Sequence, residues 1–179
     1  QALVAASRTV SENRSAHSLH GYFLRAGDTG MPILYKVDRI RDGKSFTTRR
    51  VVAVQRGRAI FTMSISFQVA EDGLSHQFDM PDIPDPETVP TEDEIRQEQA
   101  KSWPPEFQDS VSSGLAIQLR PLDPVDLFKP KPAEANQRCW MRCGDRLPDD
   151  PRIHQCVLAY LSDWSLLDTS ARPHGVSFM

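Results

Sequence analysis

Residues 17–69 hold four consecutive stretches in which apolar and polar side chains alternate, separated by short turn sequences. Alternation sends successive side chains to opposite faces of a strand, so each stretch can bury one face and wet the other. The first runs from His17 to Leu24 and is closed by Gly27-Asp28. The second, Pro32 to Ile40, sets Ile33, Tyr35 and Val37 against Lys36 and Asp38, and leads into Arg41-Asp42-Gly43-Lys44, a hairpin signal. The third, Ser45 to Gln55, closes at Arg56-Gly57. In the fourth, Ala59 to Val69, Phe61, Met63, Ile65 and Phe67 share one face and Thr62, Ser64 and Ser66 the other. A meander of this length demands a cover for its apolar face. Residues 1 to about 10, opening Gln1-Ala2-Leu3-Val4-Ala5-Ala6, supply one as a helix rich in good formers. The expected class is α+β, with one helix wrapped by one antiparallel sheet.

From Glu71 to about Gly114 the composition changes. Prolines interrupt Met80 to Pro90, and Thr91-Glu92-Asp93-Glu94 predicts a capping box opening a polar helix to about Lys101, ended by Trp103-Pro104-Pro105. Two short strands follow, Ala116–Arg120 and Arg138–Arg142, separated by a Pro-rich loop from Asp123 to Pro132. Asp149 to Asp168 then reads as one helix, with Pro151 in its first turn and a stop at Arg172-Pro173 and Gly175. Gln1–Ser7 and His154–Tyr160 both carry Gln and then a small or apolar run. A long linker between two such helices suggests two similar units joined by a crossover. The expected division is a first unit over 1–70, a linker over 71–114 and the beginning of a second unit over 115–179. The chain opens in helix interior and stops on the strand-like run Gly175 to Met179, so it is expected to be an internal segment of a longer protein.

The net charge of −3 on 179 residues gives no basic footprint for nucleic acid or a membrane surface. Asn13-Arg14-Ser15 matches a glycosylation sequon, but no secretory signal accompanies it. The three cysteines, an odd number, fit a reducing compartment, and a cytoplasmic location is expected; a peroxisomal address beyond Met179 stays open. Cys139 and Cys143 share a face on a strand and read as core packing, not as a zinc pair.

One acid stands out. At about 100° per residue, Asp163 shares a helix face with Cys156, Ala159, Tyr160, Leu166, Leu167 and Ser170, while His154, Leu161, Ser165 and Asp168 lie opposite. A carboxylate on an apolar face is a candidate general base or water-positioning group; the competing reading is a buried acid that caps a neighbouring loop. Other residues carry weaker signals. His17 and His20, three apart on a strand, are expected to face opposite ways, which disfavours a metal pair and leaves His17 a hydrogen-bonded histidine or, second, a base. Of Arg49-Arg50, at most one can face a phosphate, and a solvated sheet face is favoured. Asp126, Lys129 and Lys131 read as solvated loop charges. Ser162 and Ser165 lack the Gly-flanked elbow of a serine hydrolase.

Taken in order, several stretches resemble the type II, TesB-like acyl-CoA thioesterases. They are Tyr22-Phe23-Leu24-Arg25-Ala26-Gly27-Asp28, Arg39 to Val51 and Ile60 to Gln68, followed by Leu147-Pro148-Asp149-Asp150 with His154-Gln155, Tyr160-Leu161-Ser162-Asp163 and Arg172-Pro173-His174-Gly175. The resemblance implies a double hotdog, each half a central helix wrapped by an antiparallel sheet, here a nearly complete first hotdog and the start of a second. It also implies water attack on an acyl-CoA thioester, with Asp163 matching the family's catalytic Asp and its Thr and Gln partners expected after Met179. No metal or cofactor is implied. The intact protein is expected to be a homo-oligomeric enzyme with an acyl-CoA substrate, and this segment weakly active or inactive. The alternative is a non-catalytic hotdog module for acyl-CoA binding or assembly; a Thr and a Gln in the second sheet would decide for the enzyme.

Overall fold

The computed structural model describes residues 1–108, 116–164 and 166–177. Four strands, β1 (Arg14–Phe23), β2 (Leu34–Asp42), β3 (Phe46–Gln55) and β4 (Arg58–Val69), form one antiparallel sheet in the order β1-β4-β3-β2. The alternation read from the sequence sets the register. Val51 lies opposite Met63, Arg49 opposite Ile65 and Thr47 opposite Phe67, so these side chains share the inner face. Thr62, Ser64 and Ser66 pair with Val52, Arg50 and Thr48 on the outer face. The β3–β4 hairpin turns through Arg56 (φ 48°) and Gly57 (φ 73°). Both central residues have positive φ, the backbone whose twist matches that of the strands.

The inner face is covered by α1 (Ala2–Ser7). Ala2, Leu3 and Ala6 form a buried cluster with Val51, Ile65 and Phe67, against which Tyr35, Val37 and Met63 also pack. Burying Phe67 or Ile65 contributes roughly 1.5–3 kcal/mol each. The helix stops at Ser7, short of the expected residue 10, because Thr9 is diverted. Its hydroxyl donates to Ala6 O at 2.8 Å, and both its Oγ1 and its carbonyl accept from Arg49. β1 starts three residues earlier than its alternation suggests. There Arg14 donates to the carbonyls of Gly43, Lys44 and Ser45 and ties the strand to the β2–β3 turn.

In the remaining chain, α2 (Glu92–Ala100) begins with the predicted capping box: Glu94 N donates to Thr91 Oγ1, and Thr91 N donates to the Glu94 carboxylate at 2.7 Å. The bonds that Thr91 donates to the Glu94 carboxylate, from its backbone N foremost and from its hydroxyl, hold that carboxyl below its ordinary pKa. α2 ends at Ala100, ahead of Trp103-Pro104-Pro105 as expected, and Pro105 then opens a short helix, α3 (Pro105–Gln108), where its missing N–H is no loss. β5 (Ile117–Pro121) and β6 (Cys139–Cys143) pair antiparallel, with Leu119 buried opposite Met141. Trp103 is buried beside Phe128, their ring centroids 4.9 Å apart.

The chain divides into two compact units, Gln1–Gln77 with Asp149–Ala159, and Phe78–Pro148 with Tyr160–Met179. The helix expected over 149–168 is two helices, α4 (Pro151–Leu161) and α5 (Leu166–Ala171), with a turn between them. Trp164 N donates back to Leu161 O, an i to i−3 bond that tightens the chain out of the α-helix. Ser162 and Asp163 are poor helix formers whose side chains compete for backbone groups. Ser165 and the last two residues of the strand-like run at the C-terminus lie outside the described residues, as does the expected boundary at 114/115.

Candidate active site

α4 is fixed at its start as its sequence dictates. Asp150 Oδ1 accepts from Arg152 N at 2.9 Å, an N-cap, and Pro151 occupies the first helical position. One side of the helix is anchored: Arg152 donates to Ser11 O, Gln155 Nε2 donates to Ala16 O at 3.0 Å, and Cys156 and Ala159 pack against the α1–sheet core. Burial pushes the Cys156 thiol above its ordinary pKa, and burial does the same to Cys139. Neither is an activated nucleophile, since the reactive form is the thiolate.

Asp163 sits just past the carbonyl end of α4, in the turn, and is exposed. The sequence placed it on the buried face of a continuous helix, and that premise is corrected. The chain leaves the helix two residues earlier, and Leu166 and Leu167, its expected buried neighbours, are each 64% exposed. Tyr160 and Trp164 flank the turn with their rings 6.3 Å apart. Asp168, on α5, is exposed as expected.

The histidines are also rearranged. A β-bulge between Ala16 and Ser18 shifts the register. His17 Nε2 lies 2.8 Å from Ser66 Oγ on the outer face, and His20 pairs with Ser64 on that same face. The bulge thus overturns their expected opposition. His17 stands edge-on to Phe46 and His20 to Tyr22. Among the described residues, no three of His, Cys, Asp and Glu gather closely enough to hold a metal ion.

Arg49 is the residue that pattern-reading misjudged most. It is 1% exposed on the inner face, not solvated, and its guanidinium is spent on Thr9, Thr48 O, Arg41 O and Asp42. Arg50 points outward and pairs with Asp38. The signal was available in the sequence: Arg49 falls on the same alternation as Val51 and Ala53.

The described sheet and helices can be set beside known proteins. The family described as "Acyl-CoA thioesterase N-terminal domain" matches residues 1–68, and the family described as "Acyl-CoA thioesterase" matches residues 118–179. Acyl-coenzyme A thioesterase 8 of Homo sapiens is 38% identical over 182 residues, which are 97% of this chain and 57% of that protein. The chain belongs to the acyl-CoA thioesterase family. Acyl-CoA thioesterase 2 of Haemophilus influenzae is 34% identical over all of this chain and 63% of its own length. Among solved structures, the acyl-CoA thioesterase II TesB2 of Mycobacterium marinum is 44% identical, with a TM-score of 0.73 over 97% of this chain and 60% of that one. A hot dog fold protein from Alicyclobacillus acidocaldarius, 19% identical with a TM-score of 0.68, shares the fold. The helix wrapped by its antiparallel sheet is accordingly a hotdog, as the resemblance implied. The chain spans a little over half the length of the relatives it matches.

Within this family frame, the Arg172-Pro173-His174-Gly175 stretch has a clear local role. Arg172–His174 is a 3₁₀ turn, and Gly175 closes it with φ +59°, where a Cβ would also come within 2.8 Å of Pro132. Only glycine meets both demands. Among the described residues, no helix is long and apolar enough to cross a membrane.

Proposed function

We propose that the intact protein hydrolyses acyl-CoA thioesters, with Asp163 as the group that positions and deprotonates the attacking water. The observation that carries this reading is the 44% identity to the TesB2 thioesterase across 97% of the chain. In the proposed step, water oxygen bonds to the thioester carbonyl carbon while Asp163 takes its proton. Collapse of the tetrahedral intermediate breaks the C–S bond, and the proton passes to the leaving thiolate, giving a fatty acid and free coenzyme A. No covalent acyl-enzyme is needed. Asp163 lies exposed in a turn, where its carboxylate is open to water; the base role rests on its match to the family Asp within Tyr160-Leu161-Ser162-Asp163.

The two family matches, over 1–68 and 118–179, support a first hotdog unit over 1–70, a connector over 71–114 and the start of a second unit over 115–179. Three free cysteines support residence in a reducing compartment, with the cytoplasm as our reading. A homo-oligomer is our reading for the intact protein.

The test is thiol release from a medium-chain acyl-CoA by the full-length protein. Asp163→Asn keeps the size of the side chain and removes the base, so kcat falls by roughly 10²–10⁴-fold, the usual worth of a general base. Asp168→Asn is the control and leaves kcat unchanged. Equal kcat for wild type and Asp163→Asn refutes the assignment.

A further inference from the structure

The whole-chain charge of −3 conceals a division between the two units. The first, Gln1–Gln77 with Asp149–Ala159, holds 12 lysines and arginines against 8 acids, a net of +4, whereas the second holds 9 against 16. On the first unit, the outer face of the sheet, turned away from α1, sets cations beside aromatic rings.

Strand register lays three tracks on that face. Along β1 run the exposed rings of His17, His20 and Tyr22, and Phe46 extends the row from β3. The ring centroids of His17 and Phe46 are 5.6 Å apart and those of His20 and Tyr22 4.6 Å apart. Tyr22 is 60% exposed and Phe46 45%, so both are open to a partner. The four rings stand at the successive rungs of Gln68, Ser66, Ser64 and Thr62 on β4. Same-face rungs are about 6.7 Å apart, close to the span of one nucleotide in an extended single strand. The middle track is β4 itself, where Thr62, Ser64 and Ser66 are small and hydroxylic. Ser66 holds His17 and Thr62 donates to Val51 O, while the exposed Ser64 hydroxyl has no hydrogen-bond partner among the described residues. The far track is cationic. Arg50 lies opposite Ser64, and Lys36 and Arg41 lie one strand further, opposite Val52 and Thr48. Among the described residues, Lys36 and Arg41 are in no ion pair, and Asp38, the acid beside them, is held by Arg50.

We propose that this face binds single-stranded RNA. Bases stack on the row of rings, a contact that any base can make. β3 lies two strand spacings from β1, about 10 Å, so a base on the rings leaves its phosphate within reach of Arg50 and the cations beyond it. The hydroxyls between meet the ribose 2′-hydroxyls, which both donate and accept. An acidic peptide would use the cations and leave the rings idle; a neutral sugar would do the reverse. A duplex keeps its bases stacked on one another and has none to offer. The binding is independent of thioester hydrolysis.

The experiment is fluorescence anisotropy of a short labelled oligouridylate with the full-length protein. Tyr22→Ala and Phe46→Ala are each expected to weaken binding by roughly tenfold, the scale of one stacked base, and Tyr22→Phe to keep it. Lys36→Gln/Arg41→Gln is expected to lower the slope of log K on log salt by about 1.4, at about 0.7 for each phosphate contact on a single strand. Circular dichroism melts establish that each variant is folded. Tyr22→Leu keeps an apolar side chain and removes only the ring, so a fold lost in the alanine variant leaves the test intact. Wild-type affinity in the ring variants overturns the proposal. Duplex RNA or heparin binding as tightly as the oligouridylate also overturns it, because charge alone then suffices. An unchanged salt slope in the double glutamine variant overturns the cationic track, and equal affinity for oligodeoxyuridylate overturns the choice of RNA.

Discussion

Replacing Arg49 with methionine tests the account of the first unit most directly. The guanidinium is almost fully buried, and it donates to Thr9 Oγ1 at 2.8 Å, Thr9 O at 3.0 Å, Thr48 O at 3.0 Å and Arg41 O at 3.1 Å, besides the ion pair with Asp42. Methionine fills much of the same volume, so the cavity cost is small. The loss is in the acceptors left behind. A buried acceptor stripped of its donor costs about 1–3 kcal/mol, and here three carbonyls lose a charged one. Asp42 adds little, because its side chain is 63% exposed and water takes over the role of the guanidinium. Thr9 can re-aim its hydroxyl, which already reaches Ala6 O. The expected loss is about 3 kcal/mol. Arg50→Met, which breaks an exposed pair with Asp38, is expected to cost under about 1 kcal/mol. Urea unfolding followed by circular dichroism measures both. An Arg49→Met protein within about 1 kcal/mol of wild type would refute the reasoning, because the pairing would then be dispensable. Asp42→Asn separates the ion pair from the carbonyl contacts and is expected to cost far less than Arg49→Met.

Two further outcomes are expected. Hydrogen bonds from Arg138 hold the Asp123 carboxyl below its ordinary pKa, with the nearby charges of Arg138 and Arg172 acting in the same direction. A carboxyl depressed in the folded state stabilises above its unfolded pKa and loses that contribution as pH falls through the folded value. The stability gap between wild type and Asp123→Asn should therefore be present at neutral pH and close below about pH 4; a gap independent of pH would contradict it. At Gly43, in the β2–β3 turn, an added Cβ would come within 2.8 Å of Phe46 O, a backbone atom that cannot swing aside. Gly43→Ala should cost about 1–3 kcal/mol in denaturant unfolding, and Gly73→Ala, with nothing within 4 Å, much less.

Much of the first unit was legible from the chain itself. Period-two alternation over 17–69, with glycines at the turns, dictates four strands and tells inner from outer face, because neither depends on distant contacts. The capping box at Thr91–Glu94 and the N-cap at Asp150 are equally local. Tertiary structure decided what the pattern leaves open. The bulge at β1 set His17 and His20 on one face, since a register shift is fixed by the partner strand. Burial of Arg49 depended on carbonyls from Thr9 and Arg41 that meet only in the folded unit. The break after Leu161 turned on a balance between weak helix formers and one i to i−3 bond. A helical wheel, which assumes a continuous helix, cannot register that balance. The row of rings on the outer face joins Phe46 of β3 to His17, His20 and Tyr22 of β1. They lie on separate strands and acquire a common face only when the chain has folded.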